Sequence, residues 1–332
     1  MKKLNYLLIV LLLGCSLGAW AQEEEAATEA PKAWKCTGIL TLNASATGLW
    51  NWAAGGNNNA TGIAAANITL LYQKNALSWE SNLDTEIGMT YLDATDYHPL
   101  RKSNDKLNFT TKFGWEFHSQ LFLTALASFK SQYARGYNYG DNFMTPVSSF
   151  LSPSYTEISV GIDYKPNDIF SLYVSPIAGK ISTCTKDSLP NYGTLTGTKS
   201  ALRPIYGIDP DKKFRAELGL SGKFSINYCR IENLKIISTV SVFTPYTWNT
   251  IKDEEGNIVK IDGKKLLADR HFGNFDVDWD TSISYQFLKV LNVSLNTQLK
   301  YYPGVKITNK EGVAAERVQF KGVIGLGIGY SF

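Results

Sequence analysis

The sequence predicts an all-β protein: a transmembrane, antiparallel, up-and-down β-barrel of about 12 strands with both termini periplasmic. Three observations predict it. Apolar and polar residues alternate with period two in segment after segment. The apolar phase carries no charged residue between its first and last apolar members, and aromatic residues recur at the ends of that same phase. Period two means strand, because successive side chains point to opposite faces. After the first 21 residues no apolar run of about eighteen occurs, so no helix of spanning length is expected.

The N-terminus "MKKLNYLLIVLLLGCSLGAWAQ" has a basic start at Lys2 and Lys3, an apolar run from Leu7 to Leu13, and the small-x-small pattern Ala19-Trp20-Ala21. That is a secretory signal peptide, 1–21, cut before Gln22. A lipoprotein reading at Cys15 is weaker, because Leu13 is bulky where that signal wants a small residue. Residues 22–35 form an acidic, flexible lead-in, and 36–332 the barrel. Loss of two lysines lowers the net charge from +3 to about +1, which leaves no basic footprint for nucleic acid. Cys36, Cys184 and Cys229 lack disulfide-framework spacing, and no CxxC or HxxxH occurs. No metal or cofactor is expected.

Twelve segments follow in order. The first, 38–52, sets Leu40, Leu42, Ala44, Ala46, Gly48 and Trp50 against Thr41, Asn43, Ser45 and Thr47. The second, 61–73, alternates more weakly. The third, 76–91, sets Trp79, Leu83, Ile87, Met89 and Tyr91 against Glu80, Asn82, Asp84 and Glu86. In the fourth, 106–118, Leu107, Phe109, Phe113, Trp115 and Phe117 oppose Asn108, Thr110, Lys112 and Glu116. Segments 120–134, 154–165, 168–180, 213–229 and 234–248 continue the pattern, weakest in 154–165 and 168–180. The tenth, 272–287, opposes Phe275, Val277, Trp279, Ile283, Tyr285 and Phe287 to Asp276, Asp278, Asp280, Ser282, Ser284 and Gln286. Segments 290–302 and 316–332 complete the set. Most reach ten residues, the length a tilted strand needs to span a bilayer.

The charges fall on the other phase, and seventeen lie there. They include Glu80, Asp84, Glu86, Lys112, Arg215, Lys223, Asp276, Asp278, Asp280 and Lys300. A soluble sandwich also alternates, but its core does not collect Trp, Tyr and Phe at both ends of one face; a lipid-facing band does. Links after even segments are short ("QKN", "SQ", "KPND", "RIEN", "LKV"), and those after odd segments are mostly long, as at 92–105, 135–153, 181–212, 249–271 and 303–315. Short turns belong to the periplasmic rim and long loops outside. The expected location is the outer membrane of a Gram-negative bacterium, with membrane lipid as the first partner. The final strand should pair with the first and seal the sheet, since open edges are intolerable in lipid.

Two features carry a resemblance. "LWNWAAGGNNNATG" contains Asn51, Trp52, Ala53, Ala54, Gly55 and Gly56, and the chain closes on Tyr330 and Phe332. The first resembles the signature of a Bacteroidota family of outer-membrane β-barrel proteins of unknown function. The second resembles the terminal signal read by the barrel assembly machinery, which the resemblance implies as a biogenesis partner. Physically, Gly55 and Gly56 permit positive φ in a hairpin. No strand–loop–helix context supports a phosphate cradle.

Twelve strands enclose more room than eight, whose side chains fill the interior. Strands eleven, twelve and one offer a smooth neutral wall: Asn292, Ser294, Asn296, Gln298, then Gly325, Gly327, Gly329, then Thr41, Asn43, Ser45, Thr47. A porin-like passive channel for small hydrophilic solutes follows, or a groove filled by a loop. Ten acidic and seven basic lumen residues give a bias of about −3, hence a weak cation preference. Asp276, Asp278 and Asp280 form a ladder that either binds a cation or sugar or pairs with bases such as Lys235 and Lys300. A non-conducting envelope barrel, with 181–212 as docking surface or plug, is the first alternative. A hydrolase is the second, using Asp269 and His271 or Asp96 and His98 at the outer rim; His118 lies at the wrong end.

Overall fold

The computed structural model describes residues 33–49, 57–93, 98–139, 144–185, 206, 208, 212–247, 257, 260–261, 264–265, 270–287, 291–308 and 314–331. Twelve of its strands form one closed antiparallel barrel. They are β1 (Trp34–Thr47), β2 (Asn59–Lys74), β3 (Leu77–Leu92), β4 (Leu100–His118), β5 (Leu121–Ser131) and β6 (Ser154–Tyr164). The second half is β7 (Phe170–Thr183), β8 (Phe214–Tyr228), β9 (Leu234–Pro245), β10 (Asp276–Phe287), β11 (Leu291–Tyr301) and β12 (Gln319–Ser331). Each strand pairs with its neighbours in sequence, and β12 returns to pair with β1. Three small hairpins stand beyond the barrel, at Gly136–Tyr139 with Met144–Ser148, Lys260–Ile261 with Lys264–Lys265, and Lys306–Thr308 with Ala314–Glu316. All three belong to links that follow odd strands.

All twelve expected segments are strands, including the three with weak alternation. Tight turns join the pairs at one rim. Asn75 (φ 53) turns β2 into β3, and Gln120 (φ 67) turns β4 into β5; Asn tolerates the left-handed region better than most residues, and short hairpin loops demand it. β4 starts at Leu100 rather than near 106. The pairing with β3 shifts register between Gly88 and Met89, opposite Asn104 and Lys102, so the extra residue Ser103 breaks the alternation there. A second bulge sits in β7. Val160 of β6 faces Ile177 whereas Ile162 faces Val174, so Ser175 and Pro176 occupy the space of one residue. Proline is tolerated inside a sheet only at such a place.

The outward face is apolar and open. Leu172, Val174, Ile177 and Ile181 of β7, Ile158, Val160 and Ile162 of β6, and Ile324, Leu326 and Ile328 of β12 are all exposed. Aromatics ring both rims: Trp34, Trp79, Trp115, Tyr164, Phe170 and Tyr330 at the short-turn end; Tyr91, Phe214, Tyr246, Phe275 and Phe320 at the long-loop end. Several outward hydroxyls satisfy one another or an indole. Ser81 and Thr111 lie 2.9 Å apart, Ser238 and Thr281 2.9 Å, and Trp79 Nε1 donates to Thr111 (2.8 Å). That pairing is what a polar group facing hydrocarbon needs. The inward face is the reverse: most of its buried residues are Ser, Thr, Asn, Asp, Glu and Lys.

Candidate functional site: a plug across the lumen

The long-loop third of the lumen is crossed by ion pairs centred on β10. Arg270 lies in the link that precedes β10. Its Nε and Nη2 donate to the two oxygens of Glu217 on β8 (2.7 and 2.8 Å), while Nη1 and Nη2 donate to the two oxygens of Asp276 (2.7 and 2.9 Å). Nη1 also donates to the carbonyl of Pro303 (3.1 Å). The planar guanidinium is suited to this double fork. Burial pulls the Arg270 pKa down, but the hydrogen bonds and charge of Asp276 and Glu217 outweigh it and hold the group above its ordinary value. Glu217 also meets Arg215 (3.0 Å).

Lys180 of β7 donates to Asp276 Oδ2 at 2.7 Å, and its ammonium sits over the rings of Phe243, Tyr302 and Tyr155 at 5.1, 5.4 and 5.5 Å. One step deeper, Asp278 accepts from Lys130 of β5 (3.1 Å) and from the phenol of Tyr302 (2.7 Å). Burial pushes the Tyr302 phenol well above its ordinary pKa, and the Asp278 charge adds to it. The third rung, Asp280, accepts from Gln298 (2.6 Å).

Counted around the barrel, β5 and β10 are five strands apart, as are β6 and β11. Yet Lys130 reaches Asp278, and Tyr155 of β6 packs on Tyr302, which follows β11, with centroids 5.5 Å apart. Opposite walls are therefore drawn within the reach of two side chains, and the section at this level is narrower than a round twelve-strand cylinder. Below the plug lies a cavity of about 50 Å³, lined among others by Lys223, Glu157, Tyr173 and Ser241. Its size suits one or two waters. Lys223 has no ion pair among the described residues.

A second cluster closes the short-turn end. Asp163 meets Lys112 (3.2 Å) and Lys165 (3.8 Å) and accepts from Ser171 (2.6 Å); Lys165 is 3.9 Å from Glu80. Between the clusters Lys106 pairs with Asp84 (2.8 Å) and Asn104 donates to Glu86.

The structure thus brings Asp276, Asp278 and Arg215 together and leaves Glu80 and Lys112 at the opposite end. It corrects the partners expected for the ladder. Lys300 stands opposite Asp278 in the β10–β11 register, but Lys235 faces Ser284 far from the ladder, and Lys130, Lys180 and Arg270 supply the close contacts. Lys180 escapes a period-two reading because the Pro176 bulge reverses the phase of the strand after it; a proline inside an apolar alternation was the available signal. Arg270 and Tyr302 lie in links, where no period marks them.

The neutral wall is filled by amides. A Cβ on Gly327 would stand 2.2 Å from the Leu42 carbonyl and 2.3 Å from Asn43 Oδ1, and one on Gly329 would press on Asn292. Asn292 donates to Ser284 (2.8 Å), while its Oδ1 and the hydroxyl of Ser294 are buried with no partner among the described residues. At the rim, His271 lies 3.4 Å from the amide of Asn274, and His98 and His118 are exposed. The expected signature Asn51–Gly56, together with Asp96, Asp269, Phe332, the lead-in before 33 and most of the 181–212 link, lies outside the described residues.

Solved barrels resemble the chain in outline. An outer membrane channel from Pseudomonas putida F1 is 10% identical, with 93% of this chain and 100% of that one covered, at a TM-score of 0.37. The translocator domain of the autotransporter NalP from Neisseria meningitidis is 9% identical over 100% and 97%, at 0.33. The toluene transporter TodX from Pseudomonas putida is 9% identical over 91% and 90%, at 0.31. No curated protein matches the chain. Residues 44–137, from the end of β1 into the first hairpin beyond the barrel, match the model of a protein family of unknown function, DUF3078.

Proposed function

We propose that this chain is an outer-membrane barrel of a Gram-negative envelope that is closed along its axis at rest, with the short turns and both chain ends periplasmic. The membrane reading is supported by the exposed apolar band, its aromatic rims and the paired outward hydroxyls of Ser81 with Thr111 and Ser238 with Thr281. The closed axis is supported by one observation above all: Lys130–Asp278 and Tyr155–Tyr302 join strands five apart through the middle of the lumen. A free aqueous pore keeps such a midline open.

The charge bias behind a cation preference does not survive the count of neighbours. Lys106, Lys165, Lys180 and Arg270 join the seven basic lumen residues, which makes eleven against the ten acidic ones, and most of these charges are paired. The proposal therefore carries no ion selectivity. A passive path for small hydrophilic solutes is the second reading, favoured by the uncharged strip of Asn43, Asn292 and Ser294. The described contact of His271 is the amide of Asn274, and hydrolysis there forms no part of the proposal.

Planar-bilayer recording in symmetric KCl, with liposome swelling in sugars of graded size, tests this. The expected result is a barrel that inserts but stays shut, with swelling no faster than in protein-free liposomes. Steady large conductance and rapid swelling with small sugars would establish the passive-channel reading instead.

A further inference from the structure

The seam that closes the barrel is half unzipped. The other eleven seams each pair ten to sixteen residues per strand. The β1–β12 seam pairs five, Ile39–Asn43 in the middle of β1 with Gly327–Ser331 at the short-turn end of β12. Continued in register, Ala44 would face Leu326 and Ala46 would face Ile324. Instead Ala44–Thr47 pair only with β2, and Gln319–Leu326 have their pairing only with β11. Unpaired backbone groups at bilayer depth are costly, so a seam left open in a sheet otherwise fully paired is its weakest line.

Both sides of the gap point to one kind of occupant. Its outer lips are apolar and unusually bare, with Phe320 70% and Ile324 81% exposed. The β1 lip carries only Ala, Ser and Thr, too small to shield it. Its inner side borders the uncharged wall: Ser294 (5% exposed) stands opposite Gly325 within the gap and Asn292 (1% exposed) opposite Gly327 at its edge, and they hold a hydroxyl and an acceptor without partners among the described residues. The axial route is meanwhile blocked by the plug.

We propose that the upper β1–β12 seam is a lateral portal, admitting the acyl chain of an amphiphile from the surrounding bilayer while its neutral, hydrogen-bonding head meets the amide-and-hydroxyl wall. This rests on the membrane-barrel reading, and its test is separable from the axial one.

Two measurements on the full-length barrel in bilayers decide it, in a background where Cys36 and Cys229 are Ser and Cys184 is Ala. First, the lower pair Leu42→Cys/Ile328→Cys should oxidise to a disulfide, since those residues are paired, whereas the upper pair Ala46→Cys/Ile324→Cys should not, because a disulfide needs Cα atoms within about 7 Å. Second, a bimane placed at Ser45→Cys, inside the gap, should be quenched at least severalfold more by phospholipids with brominated acyl chains than one at Ser241→Cys on the inward face of β9. Equal oxidation of both pairs, or equal quenching at both sites, overturns the portal. Conductance of the same preparation reports on the plug independently: a shut axis with a zipped seam refutes the portal alone.

Discussion

Removing Asp276 tests whether ion pairs hold the lumen shut. In Asp276→Ala, Lys180 loses the carboxylate at 2.7 Å and keeps three aromatic rings, with Glu217 and Glu157 across from it in register. Arg270 loses one half of its double fork and keeps Glu217 at 2.7 and 2.8 Å. Breaking a buried pair on one side costs about 3–5 kcal/mol, chiefly through the charge left behind. Because Arg270 retains a full partner, the lower end applies, about 3 kcal/mol. At about 1.4 kcal/mol per power of ten, the closed-to-open ratio falls roughly a hundredfold. Single-channel recording of the variant should show frequent openings where the wild type stays shut, and the pore left with surplus Lys180 and Arg270 charge should favour anions. Lys180→Met added to Asp276→Ala should recover at least about 1 kcal/mol in a double-mutant cycle on the urea midpoint, since it removes the orphaned ammonium. If Asp276→Ala changes neither the openings nor the midpoint, these pairs do not close the lumen and the axial argument fails.

Three further outcomes follow from other parts of the barrel. Gly161→Ala sets a Cβ 2.2 Å from the Val174 carbonyl at the β7 bulge, so it should cost about 1–3 kcal/mol as overpacking, seen as a lower urea midpoint; an unchanged midpoint would deny the close approach. Val160→Lys, in the middle of the apolar band, should cost about 2–4 kcal/mol, and Tyr164→Lys at the rim no more than about 1; equal costs would mean that no lipid core surrounds the band. The Tyr302 phenol, raised by burial and by Asp278, stays protonated in the folded barrel where the unfolded chain has begun to ionise. Its contribution is therefore complete below about pH 10 and is lost as pH rises through the folded value. In a tyrosinate absorbance titration Tyr302→Phe should remove one late-titrating group, and the variant's stability should fall less steeply above pH 10.

The alternation along the chain fixes much of this architecture, because period two is a local property of every strand and a bilayer demands the same greasy phase from all of them. Twelve strands, their order, the closing partnership of first and last, and the inward aim of Asp276 and Asp278 follow from it. Orientation in the envelope and the leader are read from loop lengths and the N-terminal pattern. What alternation does not encode is phase after a bulge, which is why Lys180 is invisible until Pro176 is seen to take up extra space. Nor does it mark residues in links: Arg270 and Tyr302 reach the lumen only because the folded sheet carries their links over its rim. The narrowing of the lumen and the short β1–β12 seam belong wholly to tertiary structure. Both concern how far apart strands distant in sequence stand, and no pattern within a single strand sets that distance.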